Sequence, residues 1–98
     1  MTRSVRIHVL DTDIAKGKRG SYCGCPVAIA INRHLKETAR ASVSLGLTRI
    51  LTSDDTGIVD AAGNPRSVSS FITRFDRLLL PNPRPFFFDI ELPVAVLS

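Results

Sequence analysis

The chain predicts an α+β domain of the β-α-β-β-α-β kind. Three observations carry that expectation. Apolar residues alternate near both ends of the chain, two proline-marked segments carry helical spacing, and a long alternating stretch followed by a turn lies between them. Arranged as a ferredoxin-like split βαβ, these elements give a four-stranded antiparallel or mixed sheet with two helices on one face. The 98 residues read as a single domain spanning 1–98.

Each element has its own local reason. S4-V-R-I-H-V-L10 places Val5, Ile7 and Val9 on one face and Arg6 and His8 on the other, the pattern of a half-buried strand. D11-T-D-I-A-K16 predicts one short turn of helix, capped by Asp11 or Thr12 and ended by Gly17. A longer helix is expected over residues 26–37. Pro26 at its first position loses no hydrogen bond, and Val27, Ile31 and Leu35 recur at helical spacing beside Ala28. Residues 41–52 alternate again and predict one strand with Val43, Leu45, Leu47 and Leu51 inward. Residues 53–57 read as a turn, after which Ile58 and Val59 return antiparallel.

Asn64-Pro65 marks the second main helix, whose apolar stripe is Val68, Phe71, Ile72, Phe75 and Leu79. L80-P-N-P-R-P85 cannot continue a helix and reads as an extended connector. F86-F-F-D-I-E-L92 is the final strand, with Phe86, Phe88, Ile90 and Leu92 inward.

Composition narrows the class. A hydrophobic content of 44% with 22% charged residues is that of a folded domain, and no apolar run is long enough to span a membrane. The opening residues read as a strand and not as a signal peptide, so a cytoplasmic location is expected. Cys23 and Cys25 stand too close for an unstrained bridge, and reduced thiols are expected. The net charge of +4 is uneven: residues 1–50 hold nine Lys/Arg against three acids, and residues 51–98 hold four against six. The basic half favours an anionic partner.

Two features point to a homo-oligomer. Phe87 falls on the outer face with Asp89 and Glu91, and the terminal P93-V-A-V-L-S98 is apolar, so Phe87, Val94, Val96 and Leu97 are candidate interface residues. Completion of the chain's own core would explain them equally well.

The chemistry concentrates in K16-G-K-R-G-S-Y-C-G-C-P26. Cys23, Cys25, His8 and His34 are zinc-ligand types, but C-x-C replaces the usual C-x-x-C and the histidines lie on separate elements, so no metal or cofactor is expected. Cys25 before a helix could be an activated thiol. The spacing that wraps a phosphate around a catalytic cysteine is absent, however, and no acid–base pair stands nearby, so no catalytic residue and no enzyme activity are expected. The glycines and cations fit a phosphate cradle, in which Lys16, Lys18 and Arg19 supply charge, Gly20, Ser21 and Gly24 supply polar groups, Tyr22 stacks and Arg33 assists. A solvated connecting loop fits the same residues. Nucleic acid is a further partner class, with Arg33, Lys36 and Arg40 as backbone contacts, although few aromatics accompany them.

A first strand, then D11-T-D-I-A-K-G17, a short polar loop, and C25-P-V-A-I-A30 opening a helix resembles a group of small uncharacterised proteins of tailed bacteriophages and prophages, over about residues 5–35. The resemblance implies a protein working in the host cell cytoplasm. The reading adopted is a binding protein for a phosphate-bearing small molecule, such as a nucleotide signal of host defence that it would sequester. The alternatives are an inhibitor or adaptor that binds a host protein, and a nucleic-acid-binding protein.

Overall fold

The computed structural model describes residues 1–52, 57–77 and 83–98. Its elements run β1 (Thr2–Val9), α1 (Asp11–Lys16), α2 (Pro26–Asn32), β2 (Ala39–Val43), β3 (Leu47–Thr52), β4 (Ile58–Gly63), α3 (Arg66–Arg77) and β5 (Phe86–Pro93), with a 3-10 turn at Val94–Val96. The class is α+β, as expected. The arrangement is not a single four-stranded sheet: β1 pairs antiparallel with β5, and β2-β3-β4 form a separate antiparallel meander. A ferredoxin-like sheet would set β1 beside the strand that enters the last helix. Among the described residues no such ladder joins β1 to β4. Instead α2 packs against both β1 and β2, and one contiguous apolar core unites the two sheets with the helices.

The extra strand comes from a hairpin where the sequence predicted one continuous strand. The Ser44 amide donates to the Leu47 carbonyl at 2.8 Å, and the Ser44 hydroxyl donates to the same oxygen at 3.0 Å. Asn64 holds this turn from outside. Its amide donates to the Gly46 carbonyl at 3.0 Å, its side-chain Nδ2 donates to the Ser44 carbonyl at 2.8 Å, and its Oδ1 accepts from the buried Thr48 hydroxyl at 2.6 Å. Asn64 therefore braces the hairpin, and α3 begins after Pro65, whose carbonyl accepts from the Val68 and Ser69 amides.

The register corrects the inward set. Ala41 faces Ile50 and Val43 faces Thr48, so odd positions of β2 meet even positions of β3. With Ala39, Ala41 and Val43 buried, Thr48 and Ile50 must also point inward. Leu45 instead sits in the turn and is 52% exposed.

The helix expected over 26–37 stops at Asn32. Beyond it the backbone pairs with the C-terminal segment. The Lys36 amide donates to the Val96 carbonyl at 2.8 Å and the Ser98 amide to the His34 carbonyl at 3.0 Å, flanking an antiparallel bridge between Leu35 and Leu97. That segment buries Leu35, Val96 and Leu97, and tertiary pairing overrides helical spacing there.

The same stretch covers the outer edge of β2. The amides of Ala39 and Val43 donate to the Lys36 and Tyr22 carbonyls at 3.0 and 2.8 Å. Between them, Ala41 donates to Asn32 Oδ1 at 2.7 Å. An edge that would otherwise offer unpaired N–H groups is thus closed by the chain itself.

α1 is capped differently from expectation. Leu10 is its N-cap, and Asp13 reaches back to accept from the Leu10 amide at 2.8 Å. Gly17 does end the helix, but with φ −68° it uses no left-handed conformation. Its constraint is proximity, since a Cβ there would lie 2.5 Å from the Pro26 ring. α3 buries Val68, Phe71, Ile72 and Phe75 as expected, while Leu79, residues 53–56 of the turn expected over 53–57 and residues 80–82 of the expected connector lie outside the described residues.

A pair of substitutions separates proximity from conformation. Gly17→Ala should cost about 1–3 kcal/mol by overpacking against Pro26. Gly46→Ala, whose Cβ would meet nothing within 4 Å, should stay within about 0.5 kcal/mol of the parent. Urea unfolding of both variants checks this; equal losses would contradict the packing of α1 on α2.

Candidate functional site

The loop between α1 and α2 is built from its own polar groups. The Lys18 amide donates to the Gly24 carbonyl at 2.8 Å, and the Gly24 amide donates to Ser21 Oγ at 2.9 Å. Gly20 has φ +69°, in the left-handed region that glycine enters without strain, and its amide donates to Asp76 Oδ1 at 3.1 Å. The Arg19 Nε donates to the Phe75 carbonyl at 3.1 Å, and its guanidinium lies 5.1 Å from the Phe75 ring centroid. A cation at the last turn of α3 is also favoured by the helix dipole. Gly20, Gly24, Ser21 and Arg19 therefore lock the loop onto itself and onto α3, and the Gly20 and Gly24 amides expected to serve a phosphate cradle are engaged within the chain.

Lys16 and Lys18 are exposed and have no ion pair among the described residues. Tyr22 is 67% exposed, while its carbonyl seals the β2 edge. Arg33 is engaged elsewhere. Its guanidinium pairs with Asp13 and donates to the His8 carbonyl at 3.4 Å. Asp13 is only 2% exposed, so this pair ties β1, α1 and α2 together and does not join the loop.

What the loop does form is one wall of a cleft of about 490 Å³. Gly20 and Tyr22 stand on that wall, Val43, Ser44, Leu45 and Gly46 of the hairpin make the second, and Ile72 and Asp76 of α3 make the third. The volume falls within the roughly 300–1,000 Å³ usual for small-molecule sites. Ser44, Leu45, Ile72 and Asp76 did not emerge from the sequence as site residues. The isolated Gly46 inside an alternating run was the one local sign of a break there.

The cysteines take unlike positions. Cys25 is buried and its sulfur accepts from the Ala28 amide at 3.5 Å, capping α2. Burial pushes its thiol above the usual range, against the opposing donation from the Ala28 amide, so it is the reverse of an activated nucleophile. Cys23 is half-exposed. Among the described residues no three His, Cys, Asp or Glu side chains converge to hold a metal ion, and no helix is long and apolar enough to cross a membrane.

The four interface candidates divide. Val96 and Leu97 are buried in their own chain's core, whereas Phe87 is 54% and Val94 42% exposed. Phe87 is partly covered within its own sheet: the Arg6 guanidinium lies 4.5 Å from its ring centroid and His8 lies beside it. Arg6 also hydrogen-bonds Asp89 across the ladder at 3.0 Å, which holds the Asp89 carboxyl below its ordinary range.

With the fold and cleft in view, the chain is a small α+β protein with two antiparallel sheets. No family model, no curated protein and no solved structure matches it.

Two outcomes follow from these placements. Arg33→Ala should destabilise the protein by about 3 kcal/mol, because it leaves the buried Asp13 carboxylate unpaired. Exposed Arg49→Ala should fall within about 0.5 kcal/mol, both read by denaturant unfolding. Under native conditions at mildly alkaline pH, an alkylating reagent should modify Cys23 and reach Cys25 only after unfolding, as peptide mapping would report.

Proposed function

We propose that this protein is a non-enzymatic binding protein that takes a nucleotide-like molecule into the cleft between the 17–25 loop, the β2–β3 turn and α3. One observation carries the reading: an exposed tyrosine, a carboxylate and a serine share a cleft of small-molecule size. A flat heterocycle would stack on the Tyr22 ring, an interaction worth about 1–3 kcal/mol for a base on an aromatic side chain. Asp76 would accept from ring or exocyclic N–H groups, and Ile72 and Val43 supply an apolar floor. Lys16 and Lys18, on the chain that leads into this wall, supply the charge for phosphate.

The ligand's ring would lie in the cleft, in place of a phosphate held in a cradle of loop amides. Binding without turnover would suit the sequestering of a nucleotide signal of host defence, one of the two uses open to a small phage-type binding protein. Exposed Phe87 and Val94 support a homo-oligomeric contact as part of the same proposal.

Native mass spectrometry of the protein as purified, followed by calorimetric titration with nucleoside mono- and triphosphates, tests this reading. Tyr22→Ala should weaken binding about tenfold or more while leaving the unfolding midpoint unchanged. Lys18→Ala should weaken phosphorylated ligands more than the free nucleoside. Arg19→Ala is not a clean probe, because it also breaks the contact with α3. A bare mass together with no heat of binding for any nucleotide would overturn the proposal.

A further inference from the structure

A second concavity lies on the other side of α3. It is a shallow groove of about 280 Å³, floored by Phe71 and Phe86, whose ring centroids are 4.9 Å apart. Phe86 in turn lies 5.8 Å from Phe88, so the floor is the outer rim of an aromatic cluster that already belongs to the core. One wall is the α3 surface, where Ser67, Ser70 and Arg74 recur on a single helical face. The other wall is the chain at Pro83 and Arg84.

The chemistry of the rim is one-signed. Arg74 and Arg84 stand on it, the serines add hydroxyls, and no carboxylate is among the described residues that line the groove. Arg84 is exposed and sits between Pro83 and Pro85. Proline fixes its own φ and restricts the residue before it, so the Arg84 backbone is held extended at little further entropic cost. The prolines also lack N–H groups, so this wall offers few backbone donors for strand addition; recognition there must come from side chains.

Size bears on the occupant. The groove, at about 280 Å³, lies at the lower edge of the usual small-molecule range of roughly 300–1,000 Å³. It suits one large apolar side chain with its neighbours lying across the rim.

We propose that this groove docks a short acidic segment of another protein, anchored by one aromatic or branched aliphatic side chain on Phe71 and Phe86 and flanked by a carboxylate that meets Arg84. The surface lies apart from the nucleotide cleft and does not depend on it. Arg84 carries the specificity for charge, and the ring floor carries the specificity for the anchor.

Fluorescence anisotropy with a labelled Asp-Glu-Asp-Phe-Asp-Glu peptide tests the assignment. The peptide should bind saturably and more weakly as salt rises. Arg84→Glu should weaken it about tenfold or more by removing a charge-assisted contact. Replacing the peptide's Phe by Ser should weaken it by a similar factor through lost apolar burial. Tyr22→Ala should leave this affinity unchanged, and circular dichroism should show Arg84→Glu folded, as its exposure permits. Absence of binding would overturn the proposal, as would binding indifferent to Arg84→Glu or to loss of the peptide's Phe. Arg84-dependent binding to phosphatidylserine vesicles without binding to the peptide would also overturn it, in favour of a membrane surface.

Discussion

The covering of β2's outer edge organises much of this molecule. Three successive inward-facing residues, Ala39, Ala41 and Val43, send their N–H groups away from β3 to the Lys36 carbonyl, the Asn32 side chain and the Tyr22 carbonyl. Each acceptor belongs to a different piece of chain: the end of α2, the segment after it, and the loop before it. An uncovered edge would leave these donors unpaired beside a buried face, where each missing bond costs about 1–3 kcal/mol. Closing it fixes where α2 must end and where the glycine-rich loop must run. The positions of Tyr22 and of the cleft follow from that.

The loop illustrates how a local sequence signal can mark a place where distant segments meet and stay silent about its use. The glycine-rich basic loop lines one wall of a cleft of small-molecule size, through Gly20 and Tyr22. Yet the polar groups that suggested an anion cradle are satisfied internally: Gly20 by Asp76, Gly24 by Ser21, and Arg19 by the last turn of α3. Buried or half-buried polar groups find partners wherever the fold offers them. Asp76 and Phe75 lie more than fifty residues away from the loop in sequence, so no local pattern could announce them.

Local periodicity served well where an element buries one face against a neighbour of matching period. β1, α3 and β5 alternate or recur in sequence as they do in space. It failed where pairing between distant segments decides. The run from 41 to 52 reads as one strand until the turn around Gly46, held by Asn64, breaks it and reverses the parity of its second half. The helical spacing of Leu35 yields to a bridge with Leu97. The terminal Val96 and Leu97 turn out to be packed against their own chain. The sheet order was beyond reach for the same reason, since it depends on which edges the loops cover. Of the cleft, only Gly20 and Tyr22 were among the expected site residues.

The three walls of that cleft have a consequence for how the protein would register an occupant. They come from the loop, the hairpin and α3, which are far apart along the chain and are joined here by the Gly20–Asp76, Arg19–Phe75 and Tyr22–Val43 contacts. Any opening that separates one wall from another also dismantles the cleft. Occupancy would therefore be linked to every such opening, from release of the loop to unfolding of the domain. A molecule held there would raise the resistance of the whole domain to heat and proteolysis in proportion to RT ln(1 + [L]/Kd). Cellular abundance of the protein would then track the supply of its ligand.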